Sequence, residues 1–323
     1  MMRAFLRMAI SRGCFFPVLI VIAAVASSSS AQSRPSNGAP KYVFFFLSDG
    51  GGMVHLEIAR RYARQVHNEG FVIVDKIMKE GHVGVMTTHA ADSLSTDSAA
   101  AATALAGGCK ANVGALGMCA DGTVAVSAME IARRRGMRLG LVTNAVVYDA
   151  SPAAFVCHVP NRRDSTAIIN RYLELMPHVL FGGGKEQFLP KSREGSRRSD
   201  EIDMVGAFEN KGYRLVSNKQ ELERAKSGKT LGLFSPRDMN FELDRDKNNE
   251  PSVYDMTQAA IKILHDHNPN GFFAFIESEN IDTASHLSDI ASVIADYREF
   301  DRAVALAYDF YRKYPHDTLI IVT

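Results

Sequence analysis

The chain has no tryptophan, only four cysteines and no CxxC pair. Lacking thiolates at that spacing, it gives no support for a cysteine-built zinc site. No GxSxG occurs, so the serine of an esterase-type elbow is absent. Neither sign of charge is in excess: 37 Lys and Arg face 36 Asp and Glu. That balance carries no footprint for nucleic acid as a specific partner or for an anionic membrane surface. There is no internal repeat, and no low-complexity tract beyond one run of serines near the N-terminus.

Long apolar runs are also scarce. The clearest, FFPVLIVIAAVA at 15–26, is short for a membrane span. It follows Arg3, Arg7 and Arg12 and precedes SSSSAQ, with a cut site after Ala31. Basic region, short apolar region and small residues together read as a signal peptide over 1–31, which predicts export to a periplasm or beyond. QSRPSNGAP, residues 32–40, reads as a flexible leader, and 41–323 as the folded domain. Cys14 leaves with the signal. Cys109, Cys119 and Cys157 then allow either one bridge and one free thiol, or three buried thiols. Cys109 and Cys119 flank the glycine-containing loop ANVGALGM.

What is present is an alternation of buried strands and amphipathic helices. KYVFFFLS (41–48), MRLGLVT (137–143), HVLFGGG (178–184), FFAFIES (272–278) and TLIIVT (318–323) read as buried strands. HLEIARRYARQVH, AVSAMEIARRRG, TQAAIKILHDH and a long stretch at roughly 288–313 have helical spacing. The pattern predicts an α/β fold, a three-layer sandwich on a mostly parallel sheet. Residues 185–250 are polar, with short elements, and read as a peripheral segment of the same domain.

In such sheets, ligands gather at the carboxyl ends of strands. That rule selects Asp49 in SDGGGM, Asp149 and Ser151 in DASP, and Glu277, Asp282 and His286 in ESENIDTASH. Asp282 and His286 are four apart, on one helical face, and suit zinc; Glu277 suits a harder ion such as magnesium. Arg162, in HVPNRR, has the planar fork that grips phosphate. TDSAAAATAL opens an alanine-rich helix with Asp97 and Ser98. A serine there needs a base or a metal to become a nucleophile, and the helix N-terminus favours an anion beside it.

These segments together resemble the alkaline phosphatase family. TDSAAAATALAGGCKANVGALG is similar to its nucleophile segment, and LVTNAVVYDASPAAFVCHVPNRR to the segment with its magnesium hydroxyl ligand and phosphate arginine. HVLFGGGKEQFLP, FIESENIDTASH and TLIIVT resemble three further segments. The resemblance implies phosphate monoester hydrolysis through a phosphoserine, with two zinc ions and one magnesium ion. It implies Ser98 as nucleophile and Arg162 as phosphate ligand, with Asp97 positioning Arg162. It assigns Asp49 to the second zinc and the magnesium, Ser98 also to the second zinc, Ser151 and Glu277 to the magnesium, and Asp282 and His286 to the first zinc. Asp149 would act on magnesium from outside its ligand set. A homodimer is implied as well.

Four departures qualify the resemblance. The family's D-G-M-G is DGGGM here, Ser278 replaces a glycine, and Thr283 stands where relatives carry Lys, His or Trp. The family also supplies an Asp-His pair straight after the last strand and a later His, and the sequence given stops at Thr323. The expectation is poor zinc binding and weak or no turnover by these residues alone, with an exposed sheet edge. The competing readings are a phosphodiesterase on the same fold and a non-catalytic phosphate-binding or interaction remnant.

Overall fold

The structure, a computed structural model, describes residues 38–323, so the signal-peptide reading and most of the leader lie outside the described residues. YVFFFLS forms strand β1 (Tyr42–Ser48), buried along its whole length. Strand alternation sends Tyr42, Phe44 and Phe46 into one core and Val43, Phe45 and Leu47 into another. A run apolar at every position is what a strand covered on both faces requires. Six more strands follow: β2 (Arg138–Val146), β3 (Val179–Gly183), β4 (Tyr213–Val216), β5 (Lys229–Leu233), β6 (Phe272–Ser278) and β7 (Thr318–Val322). They line up as β4-β5-β3-β2-β6-β1-β7, and every neighbouring pair is parallel.

Helices Met53–His67, Val253–His265 and Ile290–Lys313 cover the first face, inserting Leu56, Ile263, Phe300 and Phe310 among others. Helices Ser98–Gly107, Ala128–Arg134, Ala150–Ala154 and Ser165–Leu175 cover the second, with Ala102, Met129, Ala153 and Tyr172 in its core. Each fully buried phenylalanine, such as Phe44 or Phe275, contributes about 1.5–3 kcal/mol by leaving water. The three-layer α/β sandwich is thus the observed architecture.

The 185–250 segment contributes more regular structure than its polar composition indicates. It supplies β4 and β5 at one edge of the sheet, and buries Phe188, Phe208 and Tyr213. Phe208 and Tyr213 meet edge to face at 5.0 Å. At the other edge lies β7, where Leu319 is exposed. Cys109 and Cys119 are bridged and Cys157 is a buried free thiol, which selects one of the two cysteine readings. Among the described residues, no helix is long and apolar enough to cross a membrane.

The order β2-β6-β1 sets adjacent parallel strands at the centre, so their carboxyl ends open side by side. Leu47 stands level with Glu277, and Ser48 with Ser278. Of the acidic residues selected from the sequence, Asp49 follows β1 directly, Glu277 lies at the end of β6, and Asp149 and Asp282 follow within four residues of β2 and β6.

Candidate functional site

Asp49 is the first residue past β1. Its turn is closed by Gly50, whose φ of +63° lies in the left-handed region. A Cβ at Gly50 would stand 2.3 Å from Asp282 Oδ1, so glycine is what lets this turn lie against the Asp282 helix (Asn280–His286). The Gly50 N–H donates to Asp49 Oδ1 at 2.9 Å, and the Ser151 hydroxyl donates to Oδ2 at 3.3 Å. Burial pushes the Asp49 carboxyl up to about 6; a hydrogen bond from Ser98 opposes this, and the charges of Asp282 and Asp149 add to it.

Ser98 is the first residue of its helix and Asp97 is the N-cap. The Ala100 N–H donates to Asp97 Oδ1 at 3.0 Å, and the Gly114 N–H reaches the same oxygen at 3.2 Å. The other oxygen holds Arg162: Nη1 donates to Asp97 Oδ2 at 3.2 Å, while Nη2 donates to Asp149 Oδ1 at 3.1 Å. Burial raises the Asp97 carboxyl, but the bonds from Ala100, Gly114 and Arg162 outweigh it and leave Asp97 below its ordinary range. Arg162 is therefore fixed at two of its five donors and keeps the remainder for a ligand. One aspartate both starts the Ser98 helix and anchors the guanidinium.

Glu277 is the last residue but one of β6 and is wholly buried. The Thr143 hydroxyl donates to its Oε2 at 2.7 Å, while Oε1 has no hydrogen-bond partner. Burial holds this carboxyl well above the usual range, and the charges of Asp49 and Asp149 raise it further. A buried acceptor left unpaired costs about 1–3 kcal/mol, and a bound cation removes that cost. Asp282 and His286 meet at 3.3 Å, with the imidazole 79% exposed.

Three residues not singled out in the sequence belong to the same neighbourhood. Thr143, on β2, supports Glu277. Glu279, two residues beyond Glu277, accepts from the Thr283 hydroxyl at 2.8 Å and has a buried, unpartnered Oε2. Burial pushes it up to about 8, and the nearby charges of Asp149, Asp238 and Asp49 act the same way. Asp238 accepts from the Val146 N–H at 2.8 Å and is likewise raised by burial. The second glutamate of ESEN was visible in the sequence; nothing there marked Asp238 or Thr143 as neighbours.

The donor chemistry suits a hard cation. Asp49, Ser151 and Glu277 offer oxygen only, and the free Oε1 of Glu277 is an acceptor awaiting a positive charge. Zinc fits less well. Asp282 with His286, and Asp49 with Ser98, give two ligands each where zinc takes four. Among the described residues, no three His, Cys, Asp or Glu side chains converge as a metal-holding group.

The alkaline phosphatase family profile matches residues 40–323. Repressible alkaline phosphatase of Saccharomyces cerevisiae is 30% identical over 95% of the chain, and alkaline phosphatase 3 of Bacillus subtilis 32% identical over 88%. The chain spans 58% and 60% of the length of those two relatives. Among solved structures, Thermus thermophilus alkaline phosphatase superimposes with a TM-score of 0.81 at 32% identity, covering 88% of this chain and 59% of that one. A TAB5 alkaline phosphatase variant with Mg bound in its M3 site superimposes at 0.73 and 25% identity, covering 88% and 77%. Sequence profile, curated relatives and superposed fold agree over the same stretch, and the chain belongs to the alkaline phosphatase family.

Proposed function

We propose that this site hydrolyses phosphate monoesters through a phosphoserine on Ser98. One observation carries the reading: Asp97 joins the Ser98 helix start to Arg162, and Asp149 grips the same guanidinium from the other side. An anion at Ser98 then meets a positive charge and the helix N-terminal amides.

In this reading the free donors of Arg162 bind two phosphate oxygens and turn phosphorus toward Ser98. The Ser98 hydroxyl gives up its proton as Oγ bonds to phosphorus, the ester P–O bond breaks with its electron pair going to the leaving oxygen, and that oxygen takes up a proton and departs as the alcohol. Water then cleaves the phosphoserine and releases inorganic phosphate. Asp49, Ser151 and Glu277 hold magnesium, which supplies electrostatic stabilisation of charge developing on oxygen. Asp282 and His286, and Asp49 with Ser98, contribute to two zinc sites. Two ligands per site do not fit a zinc ion alone, so no step is assigned to zinc.

The doubly held Arg162 also fits one second reading, a phosphate-binding protein that does not turn over. The Cys109–Cys119 bridge fits export to an oxidising compartment, periplasmic or extracellular. A homodimer rests on the family resemblance and is checked by light scattering. The functional test compares a phosphate monoester with a diester, with zinc and magnesium supplied, for the chain and for Ser98→Ala. Monoester preference abolished by Ser98→Ala is the expected result. Diester preference overturns the substrate class, and phosphate binding without turnover favours the second reading.

A further inference from the structure

Arg162 lies on a loop, and something must hold that loop level with the Ser98 helix. Its backbone N–H donates to Gly114 O at 2.8 Å, and Leu116 and Val159 exchange two backbone bonds of 2.9 Å. The loop after Cys109 thus serves as a template for the 158–162 segment. Thr103, in the Ser98 helix, ties down that template: its Oγ1 accepts from the Gly117 N–H at 2.9 Å and donates to Ala115 O at 3.2 Å.

His158 stands where these elements meet, four residues before Arg162. Its Nδ1 lies 2.9 Å from Gly117 O, and its Nε2 lies 3.0 Å from Glu130 Oε1. Whichever ring nitrogen carries a proton, an acceptor stands opposite. Glu130 is itself buried and held by the Ser127 N–H at 3.0 Å and by Arg171 Nη2 at 3.1 Å. Arg171 also donates to Val156 O at 3.0 Å and to Glu174. Gly117 has no room for a side chain, since a Cβ would stand 2.0 Å from Cys157 O and 2.5 Å from His158 Nδ1. The imidazole is therefore a tight bridge between the template loop and the helix Ala128–Arg134.

We propose that His158 is a positioning residue for Arg162, clamping the 114–117 and 158–162 segments together so that the guanidinium stays between Asp97 and Asp149. This rests on the reading of Arg162 as the phosphate ligand. His158 does not touch the phosphate; it acts through the arginine.

The test is a double-mutant cycle with inorganic phosphate as probe, its dissociation constant measured with magnesium and zinc supplied. Losing a buried hydrogen-bonded bridge is expected to weaken phosphate binding about ten-fold in His158→Ala. In an Arg162→Ala background the same change is expected to have no further effect, since the group it positions is gone. His158→Gln, which keeps a donor toward Glu130, is expected to recover most of the affinity. Hydrogen exchange should show faster exchange of the Arg162 and Leu116 amides in His158→Ala. If His158→Ala does not fold, Glu130→Gln carries the same cycle, with a smaller loss that also vanishes in Arg162→Ala. Equal losses in both backgrounds overturn the positioning role, as does unchanged binding in His158→Ala. If Arg162→Ala itself leaves phosphate binding intact, the reading of the site falls and this inference falls with it.

Discussion

Replacing Glu277 by glutamine separates a cation-holding carboxylate from an ordinary buried one. Glu277 is wholly buried, one oxygen is satisfied by Thr143, and the other has no partner. In a chelated buffer that arrangement is a cost of about 1–3 kcal/mol. Glutamine keeps the shape and an oxygen for the Thr143 hydroxyl, but has no carboxylate to offer a cation. Without cations, Glu277→Gln is therefore expected to be about as stable as the parent, since one unpartnered buried polar group replaces another. Magnesium separates the two. At a concentration about 100 times its dissociation constant, a ligand binding only the folded form adds about 2.7 kcal/mol. For a domain of this size that shifts Tm upward by about 4–5 °C. The parent should show this shift and Glu277→Gln should lose most of it. Thermal unfolding followed by circular dichroism, in chelator and across a magnesium titration, reads both effects. Equal stabilisation of parent and variant would refute the reasoning, because the carboxylate would then not be where the cation binds.

Three further predictions follow from the geometry. Gly50→Ala forces a side chain onto Asp282 and strains a left-handed residue. It should destabilise the fold by about 1–3 kcal/mol and abolish the magnesium response, both measurable in the same melts. Asp301, buried and accepting from the Val72 and Ile73 N–H groups, is pushed up to about 6 by burial. A raised carboxyl contributes stability that is complete below its unfolded value near 4 and is lost as pH climbs through about 6. The parent's advantage over Asp301→Asn should thus shrink by about 2–2.5 kcal/mol between pH 4 and 7 in urea titrations; a constant difference would contradict the assignment. Opening the Cys109–Cys119 bridge, which spans a sequence separation of 10, should cost about 2–3 kcal/mol, and faster hydrogen exchange should concentrate in the 109–119 loop.

The sheet was legible where strands are apolar at every position. The stretches YVFFFL and FFAFI carry no charged residue of the kind a surface strand or an amphipathic helix would need, and both became interior strands. YRLV and KTLGL were not legible as strands. Arg214 is exposed on the first, Lys229 begins the second, and both lie in a polar segment whose role appears only once β3 is placed beside them. The placement of the candidates near strand ends was legible because strand ends are sequence features: Asp49 and Glu277 stand at the ends of apolar runs, and Ser151 lies shortly after one. Arg162 was different. Nothing local separates it from a surface arginine, and its grip by Asp97 and Asp149 depends on contacts 65 and 13 residues away. His158 and Glu130 fall in the same class, since their bridge exists only after the His158 segment has packed against the helix Ala128–Arg134.

The central claim is that Ser98 forms a bond to phosphorus. Incubating the chain with a phosphate monoester, quenching in acid and mapping the peptides by mass spectrometry tests it directly. The account predicts a phosphoryl group on the peptide containing Ser98, at that residue alone, with none in Ser98→Ala. Monoester hydrolysis that persists in Ser98→Ala, or a phosphoryl group on a different residue, would contradict it.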